Sequence, residues 1–171
     1  MAGAADGGSL GQTRAVEVRP GSPEDASAVA EIWRVGWRDA HLGFVPDELV
    51  AARHDASFRT RAAERVADTT VAVVDGQVAG FVMVVDDEVE QVYVSAGRRG
   101  TGVADALLRE AERQVGAAGH GRAWLAVVAG NGRARRFYER NGWSDGGLFD
   151  HHAPGPDGSI TVPAHRYVKD V

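Results

Sequence analysis

The sequence of 171 residues contains no cysteine, and this absence removes several kinds of chemistry. A disulfide, a cysteine-ligated zinc site, a thiol nucleophile and an acyl-cysteine intermediate are all excluded. No apolar run approaches the roughly 20 residues that span a bilayer. The first residues, MAGAADGGSLGQTRA, lack the basic start and the apolar stretch of a signal peptide. We therefore expect a cytoplasmic protein with no membrane partner.

Basic residues are fewer than acidic ones, and the formal net charge of the chain is −5. Nucleic-acid-binding domains usually carry a basic stripe or patch, so we expect no nucleic-acid partner. Hydrophobic residues make up 44% and charged residues 25%, which is typical of a globular domain with its own core. The small and polar residues 1–14 predict a flexible N-terminal tail, and 15–171 a single domain.

The spacing of apolar residues predicts a mixed α/β fold in the order β-α-α-β-β-β-α-β-α-β-β. Strands are expected at 15–19, 70–74, 78–85, 89–94, 124–128 and 160–168, with a short strand after Trp143. Helices are expected after Pro23, after Pro46, from Val103 and from Asn131, and 150–159 is expected to be a loop. Strands in succession, followed by strand–helix alternation, indicate a mixed sheet with helices on both faces.

A glycine-rich loop follows the predicted strand that ends at Val94 and leads into a helix. Gly100 and Gly102 allow unusual backbone angles and close approach of a ligand, and the free N–H groups of the helix start form an anion site. A P-loop is excluded because the chain has no Gly-Lys pair, and a dinucleotide fingerprint is excluded because Asp105 replaces its third glycine. The loop therefore predicts a phosphate or pyrophosphate site of another family.

Two motifs identify that family. The pattern R-x-x-G-x-A is present from Arg99 to Ala104, and the pattern L-x-V-x-x-x-N-x-x-A-x-x-F-Y-x-x-x-G-W runs from Leu125 to Trp143. Together they resemble the GNAT superfamily of acyl-CoA N-acyltransferases, and the resemblance covers about 15–171. It implies a mostly antiparallel central sheet, splayed between the fourth and fifth strands, with helices on both faces.

The resemblance also implies a reaction. Acetyl-CoA would be the co-substrate, without a metal, and an amine of a small molecule or a peptide would attack its thioester directly in a ternary complex. A homodimer is left open. The alternative class is a CoA-binding regulatory or interaction module without turnover, which would bind the cofactor but release no thiol when amines are supplied.

The same resemblance assigns the cofactor contacts. The pyrophosphate would lie on backbone N–H groups of residues 100–104, and the pantetheine arm would pair like an extra strand with 92–94. Asn131 would cap its own helix and contact the cofactor arm. The full set of expected cofactor-binding residues is Val92, Tyr93, Val94, Arg99, Gly100, Thr101, Gly102, Val103, Ala104, Asn131 and Ala134.

Tyr138 matches the family tyrosine that would protonate the leaving sulfur, and it follows Asn131 by two helical turns. The alternative for Tyr138 is a core aromatic. The expected general base is Glu90, since relatives carry an acidic residue in this context. Strand alternation would place residues 88, 90, 92 and 94 on one face. Glu88 or a water chain remains open as the base.

The acceptor is expected to contact four residues, which are Trp37, His41, Phe44 and Glu88. The carboxylates of Asp86, Asp87, Glu88 and Glu90 crowd one strand end, which would favour a cationic primary ammonium. His151-His152 lacks a third ligand at useful spacing, so no metal site is expected.

Overall fold

The computed structural model describes residues 14–171. The predicted flexible tail, residues 1–14, lies outside this range except for Arg14, which forms an ion pair with Asp75 at 2.9 Å. Within the described range, no helix has the length and apolarity needed to cross a membrane.

Residues 14–171 form five α-helices and seven strands. The helices are α1 (Ala26–His41), α2 (Asp47–Ala52), α3 (Asp55–Glu64), α4 (Val103–Ala117) and α5 (Gly132–Arg140). The strands are β1 (Glu17–Pro20), β2 (Thr69–Val74), β3 (Gln77–Val85), β4 (Glu88–Val94), β5 (Arg122–Val128), β6 (Ser144–Gly155) and β7 (Gly158–Asp170). All seven strands form one sheet in the order β1-β2-β3-β4-β5-β7-β6.

The two faces of the sheet carry separate hydrophobic cores. Trp33 on α1 and Phe58 on α3 are fully buried on one face, where they pack with Phe81 of β3. Leu107 and Val115 on α4 are fully buried on the other face, together with residues of α5. The helical spacing of these apolar side chains explains why each helix lies flat on the sheet. The expected mixed sheet with helices on both faces is confirmed.

The sheet is nearly split between β4 and β5. All other neighbouring strands are antiparallel, whereas β4 and β5 are parallel and share one paired position, Glu88 with Trp124. Beyond this position the strands diverge, so the backbone groups of 92–94 on that side have no strand partner. The splay expected between the fourth and fifth strands is therefore present.

A β-bulge interrupts β4. Met83 pairs with Gln91, but the next residue of β3, Val84, pairs with Val89, which leaves Glu90 as the extra residue. A bulge shifts the alternation of side chains by one residue. Val92 and Val94 accordingly pack in the core beside α4, whereas Glu90 contacts Arg65 just after α3. The expectation that residues 88, 90, 92 and 94 share one face is wrong for this reason.

Two further sequence expectations were wrong. Residues 150–159, predicted as loop, belong to the β6–β7 hairpin, in which His151 pairs with Val162 and Ala153 with Ile160. Proline and glycine are tolerated here because β6 is an edge strand of the sheet. The single helical stretch predicted after Pro46 is two helices, α2 and α3, which are separated at Arg53–His54.

Two polar contacts secure the ends of the domain. Arg19 donates two hydrogen bonds to Asp25, at 2.8 and 3.0 Å, and this pairing lowers the pKa of the Asp25 carboxyl to about 2. Lys169 of β7 donates to a Glu112 carboxylate oxygen and to the Asn141 carbonyl oxygen, both at 2.9 Å. The second contact ties the last strand to α4 and to the end of α5.

Candidate active site

A cavity of about 480 Å³ fills the gap between β4 and β5. Its walls are the diverging strands, the start of α4, the side of α5, and residues of α1, α2, α3 and the β6–β7 hairpin. One end opens at the glycine loop, and the other reaches the helices that follow β1. The cavity therefore connects an anion-binding loop with a second compartment.

The glycine loop forms the first end. Gly100 and Gly102 have φ angles of 73° and 88°, in the left-handed region that disfavours side chains. Within 14–171, the backbone N–H groups of residues 100–105 donate to no protein acceptor. Several N–H groups at the start of α4, together with the helix dipole, create a site for a phosphate group. This arrangement suits the pyrophosphate of coenzyme A.

Arginine side chains surround this loop. Arg99 donates to Asp39 of α1 at 2.7 Å and lines the cavity, and Arg98 pairs with Asp75 at 3.2 Å. Arg133 and Arg140 of α5 also line the cavity. Arg133 and Arg140 have no carboxylate partner within 14–171, whereas Arg98 and Arg99 are paired with aspartates and Asp105 also lines the cavity. The two unpaired guanidiniums favour an anionic ligand.

Two predicted loop residues do not line the cavity. The Thr101 hydroxyl donates to the Arg98 carbonyl and otherwise faces solvent, while the Val103 side chain is 1% exposed in the core under α4. For both residues, only backbone N–H groups are available to a ligand. Gly100, Gly102 and Ala104 do line the cavity.

Helix α5 supplies three of the predicted residues. The Asn131 side chain accepts a hydrogen bond from the Ala134 backbone N–H at 3.2 Å, so the predicted helix cap is present. Asn131, Ala134 and Tyr138 all line the cavity. Tyr138 is buried, and burial raises the pKa of its phenol above the usual value. Its hydroxyl has no hydrogen-bond partner within the described residues, so it is available to a bound group.

Tyr93 places a second phenol in the cavity. Its ring packs against α1 at Gly36, where any side chain would collide with the ring. Burial, and to a smaller extent the neighbouring Tyr138, raises the pKa of Tyr93. Val92 and Val94, on either side of it, line the cavity but point their side chains into the core beside α4. Their contribution to a ligand is therefore through the backbone.

The four carboxylates near the start of β4 have different environments. Asp86 lies in the β3–β4 turn with a φ angle of 52°, and Asp87 accepts a hydrogen bond from the Trp124 indole at 3.1 Å. Glu90 is ion-paired with Arg65. Glu88 lines the cavity and has no hydrogen-bond or ion-pair partner within 14–171. Of these four, Glu88 alone presents to the cavity a carboxylate without a partner among the described residues.

The environment of Glu88 raises the pKa of its carboxyl to about 7. Burial is the main cause, and the neighbouring carboxylates of Glu90 and Asp87 add to it. A carboxyl with a pKa near neutrality is suited to general acid–base catalysis, because both protonation states are populated at working pH.

Trp37 and His41 lie in the second compartment as expected, whereas Phe44 does not. Trp37 and His41 line the cavity with their rings stacked 4.9 Å apart, and burial lowers the pKa of His41. Phe44 is 52% exposed and packs against Gly130, outside the cavity lining. It thus borders the loop between β5 and α5 instead of the compartment.

Sequence reasoning missed three cationic or titratable residues of the second compartment. Arg53, Arg61 and His151 all line it, and burial lowers the pKa of each side chain. Arg53 follows α2 and Arg61 lies on α3, and neither helix carries a motif; His151 lies in the part of β6 that was predicted as loop. Within the described residues, no three His, Asp or Glu side chains are arranged to hold a metal ion.

Comparisons with known proteins identify the family of the chain. The model of the acetyltransferase (GNAT) family matches residues 26–143. An uncharacterized N-acetyltransferase of Mycobacterium bovis is 34% identical over 113 residues, which are 57% of this chain and 72% of the relative. The chain therefore belongs to the GNAT acetyltransferase family, and it is an acetyl-CoA-dependent acyltransferase.

Solved structures share the fold at low sequence identity. The PaiA N-acetyltransferase of Thermoplasma acidophilum, in complex with coenzyme A, is 18% identical with a TM-score of 0.68 over 92% of this chain and 99% of that one. The putative acetyltransferase YncA of Salmonella typhimurium, with acetyl-CoA, is 16% identical with a TM-score of 0.66 over 91% and 94%. These similarities concern the fold.

Proposed function

We propose that the protein transfers the acetyl group of acetyl-CoA to a primary amine by direct attack within a ternary complex. The observation that carries this proposal is the single cavity that joins three elements: the free N–H groups at 100–105, the phenol of Tyr138 and the uncommitted carboxylate of Glu88. The family membership and the cofactors of the PaiA and YncA structures support the choice of co-substrate.

The residues fit acetyl-CoA along the length of the cavity. The pyrophosphate would be held by the N–H groups of residues 100–105, with Arg99 beside them. The amide-bearing pantetheine arm would hydrogen-bond to the unpaired backbone of 92–94 in the gap between β4 and β5. Asn131 and Ala134 would contact the arm from α5. The bound molecule supplies the thioester that the acceptor amine attacks.

Glu88 is the better candidate for the general base than Glu90. A base must be free to accept a proton, and the Glu90 carboxylate is already occupied by the Arg65 guanidinium. Glu88 is unpaired, and its raised pKa of about 7 makes it a stronger proton acceptor than an ordinary carboxylate. In this assignment Glu88 takes the proton that the acceptor amine loses.

Tyr138 would act on the leaving group. Its neutral phenol, held protonated by the raised pKa, donates a proton to the departing sulfur. Backbone N–H groups in the gap beside 92–94 would hold the carbonyl oxygen of the acetyl group. The nitrogen–carbon bond forms as the carbon–sulfur bond breaks, and the products are an acetamide and coenzyme A with a free thiol.

A direct assay tests the proposal. Acetyl-CoA binding is measured by calorimetry, and free thiol is then measured with a chromogenic reagent after addition of a panel of primary amines. Since the chain has no cysteine, every thiol detected comes from coenzyme A. We expect binding, thiol release that depends on the amine, and an acetylated product by mass spectrometry. Binding without amine-dependent release across the panel would instead define a CoA-binding module.

A further inference from the structure

Two arginines in the second compartment have no carboxylate partner. Arg53, at the end of α2, is 7% exposed, and Arg61 of α3 is half-buried; both line the cavity. Within 14–171, neither lies within ion-pair distance of an Asp or Glu. Arg53 donates one hydrogen bond, to the Pro154 carbonyl at 2.8 Å, and the Arg61 guanidinium lies 4.4 Å from the centre of the Trp33 ring.

These contacts satisfy each guanidinium only in part. A guanidinium offers five N–H donors, and Arg53 uses one of them on the protein while Arg61 uses none. Burying an unpaired charge is costly, and burial lowers the pKa of both side chains, that of Arg61 to about 10. The acidic neighbour of Arg61, Glu90, is engaged by Arg65. Unused donors of two cationic groups therefore remain in one compartment.

Three other arginines of the described chain are more exposed than Arg53 and do have carboxylate partners. Arg34, Arg38 and Arg113 lie toward solvent, where pairing contributes little, and yet each has a carboxylate partner at 2.6 to 2.7 Å. Arg53 is the only arginine among the buried residues of 14–171. Arg53 would therefore be stabilised most by a carboxylate partner, and the described residues give it none.

We propose that Arg53 and Arg61 bind a carboxylate of the acceptor, so that the substrate is an amine that also carries a carboxylate group. This inference rests on the proposed acetyl transfer. The planar fork of a guanidinium matches a carboxylate through two parallel hydrogen bonds, and two guanidiniums can share its two oxygens. Glu88, in the same cavity, serves the amino group. The acceptor is therefore zwitterionic, unlike the purely cationic amine that the acidic strand end had suggested.

The rest of the compartment indicates the body of the acceptor. Apolar side chains of Val45, Leu49 and Val162 line it, together with the Trp37 ring. These surfaces favour an apolar group between or beside the two charged ends. Leucine and phenylalanine are therefore suitable first probes, alongside unbranched amino acids in which one to four carbons separate the amine from the carboxylate.

The first experiment compares matched acceptors. Leucine, phenylalanine, glycine, β-alanine, 4-aminobutyrate and 5-aminovalerate are each assayed against the corresponding carboxamide and the amine without the carboxylate, with coenzyme A thiol release as the readout. We expect the best carboxylate acceptor to exceed its two analogues in kcat/KM by roughly 10- to 100-fold, because a charge-assisted hydrogen-bond pair is lost. Aminoalkyl phosphonates form a further arm, and their preference over carboxylates would overturn the assignment.

The second experiment assigns the effect to the arginine. Arg61→Gln is compared with Arg59→Gln, an exposed position on the same helix. We expect Arg61→Gln to raise KM for the carboxylate acceptor roughly 10- to 100-fold and to leave KM for the matched amine unchanged. Arg59→Gln should alter neither. Calorimetry with acetyl-CoA checks that the cofactor end is intact in both variants.

The outcomes separate this inference from the proposed function. If no amine of any class is acetylated although acetyl-CoA binds, both proposals fail. If amines are acetylated but the carboxylate confers no advantage, or Arg61→Gln weakens carboxylate and amine acceptors equally, the acetyl transfer stands and the carboxylate site is refuted.

Discussion

At the scale of single residues, Glu88 and Tyr138 face one cavity with protonation states suited to opposite tasks. Burial raises both pKa values, which leaves Glu88 near neutrality and keeps the Tyr138 phenol protonated. Burial therefore makes the carboxyl of Glu88 a better proton acceptor, while the Tyr138 phenol stays protonated and carries a proton that it can donate. Each assignment leads to a distinct kinetic result.

If Glu88 is the base, kcat/KM should rise with pH through its pKa of about 7, since only the ionised form accepts a proton. Activity is lost as pH falls below this value. Glu88→Gln should abolish this rise of kcat/KM with pH and reduce turnover by about 10²- to 10⁴-fold above pH 8. Asp86→Asn, in the exposed turn, is the control. If the rise of kcat/KM with pH persists in Glu88→Gln and is absent in Glu90→Gln, Glu90 is the general base.

Tyr138→Phe keeps the ring in place and removes only the hydroxyl. Turnover should fall at least about tenfold, because the sulfur loses its proton donor, while calorimetry should give nearly unchanged acetyl-CoA affinity. Tyr93→Phe is the matched control, since it deletes a second buried phenol of the same cavity. If Tyr93→Phe lowers turnover and Tyr138→Phe does not, Tyr138 is a packing residue.

The sequence predicted the site residues that belong to a motif and missed those that reach the cavity only through tertiary packing. Asn131 and the lining position of Tyr138 follow from a pattern within one helix. The choice between Glu88 and Glu90 depends on the bulge in β4, which arises from pairing with β3 and leaves no sign in the alternation. Arg53 and Arg61 reach the cavity only through the packing of α2 and α3, so no spacing rule could find them.

At the scale of elements, the loop before α4 combines backbone shape with charge. Gly102 has a φ angle of 88°, and no neighbouring atom lies within 4 Å of the position that a Cβ would take, so a side chain there meets backbone strain but no collision. Asn tolerates the left-handed region better than most residues and has the shape of Asp without its charge. Comparison of Gly102→Asn with Gly102→Asp therefore separates the effect of side-chain shape on acetyl-CoA binding from the effect of side-chain charge.

We expect both Gly102 variants to fold, with similar small losses of stability. Acetyl-CoA affinity should be at least about tenfold weaker in Gly102→Asp than in Gly102→Asn, because a carboxylate beside the free N–H groups repels the pyrophosphate. Calorimetry and thermal melts of both variants provide the comparison. Equal affinities would show that the phosphate groups lie elsewhere.

Element prediction succeeded where apolar periodicity was strong and failed where it was weak. The buried stripes of α1 and α4 and the strands β2 to β5 are read directly from spacing. Residues 150–159 of the β6–β7 hairpin were predicted as loop because most of β6 is exposed, so this strand has little apolar alternation to detect. The separation of α2 from α3 at Arg53–His54 also lacks the glycine or proline that usually marks a break.

At the scale of the whole molecule, the sheet consists of two parts joined at one paired position, Glu88 with Trp124. A ligand arm in the gap would supply hydrogen-bond partners to strand edges that have none. Addition of acetyl-CoA should therefore slow hydrogen exchange at amides of 92–94 that point away from β3, by an amount that grows with ligand concentration.

Strand β2 provides the internal reference for this measurement. It lies on the far side of β3 from the gap, and both of its edges are already paired, so exchange at 69–74 through local opening should change little. Slower exchange at β2 equal to that at 92–94 would indicate general stabilisation instead of binding in the gap.

The contact of Lys169 with Glu112 and Asn141 has a consequence for an enzyme that acetylates amines. Lys169 is the only lysine of the chain, since the other 18 of its 19 basic residues are arginine, whose guanidinium is not a primary amine. Its ammonium is held by two hydrogen bonds at 2.9 Å and does not line the cavity. The side chains of the protein thus contain a single primary amine, and we expect little self-acetylation at this lysine.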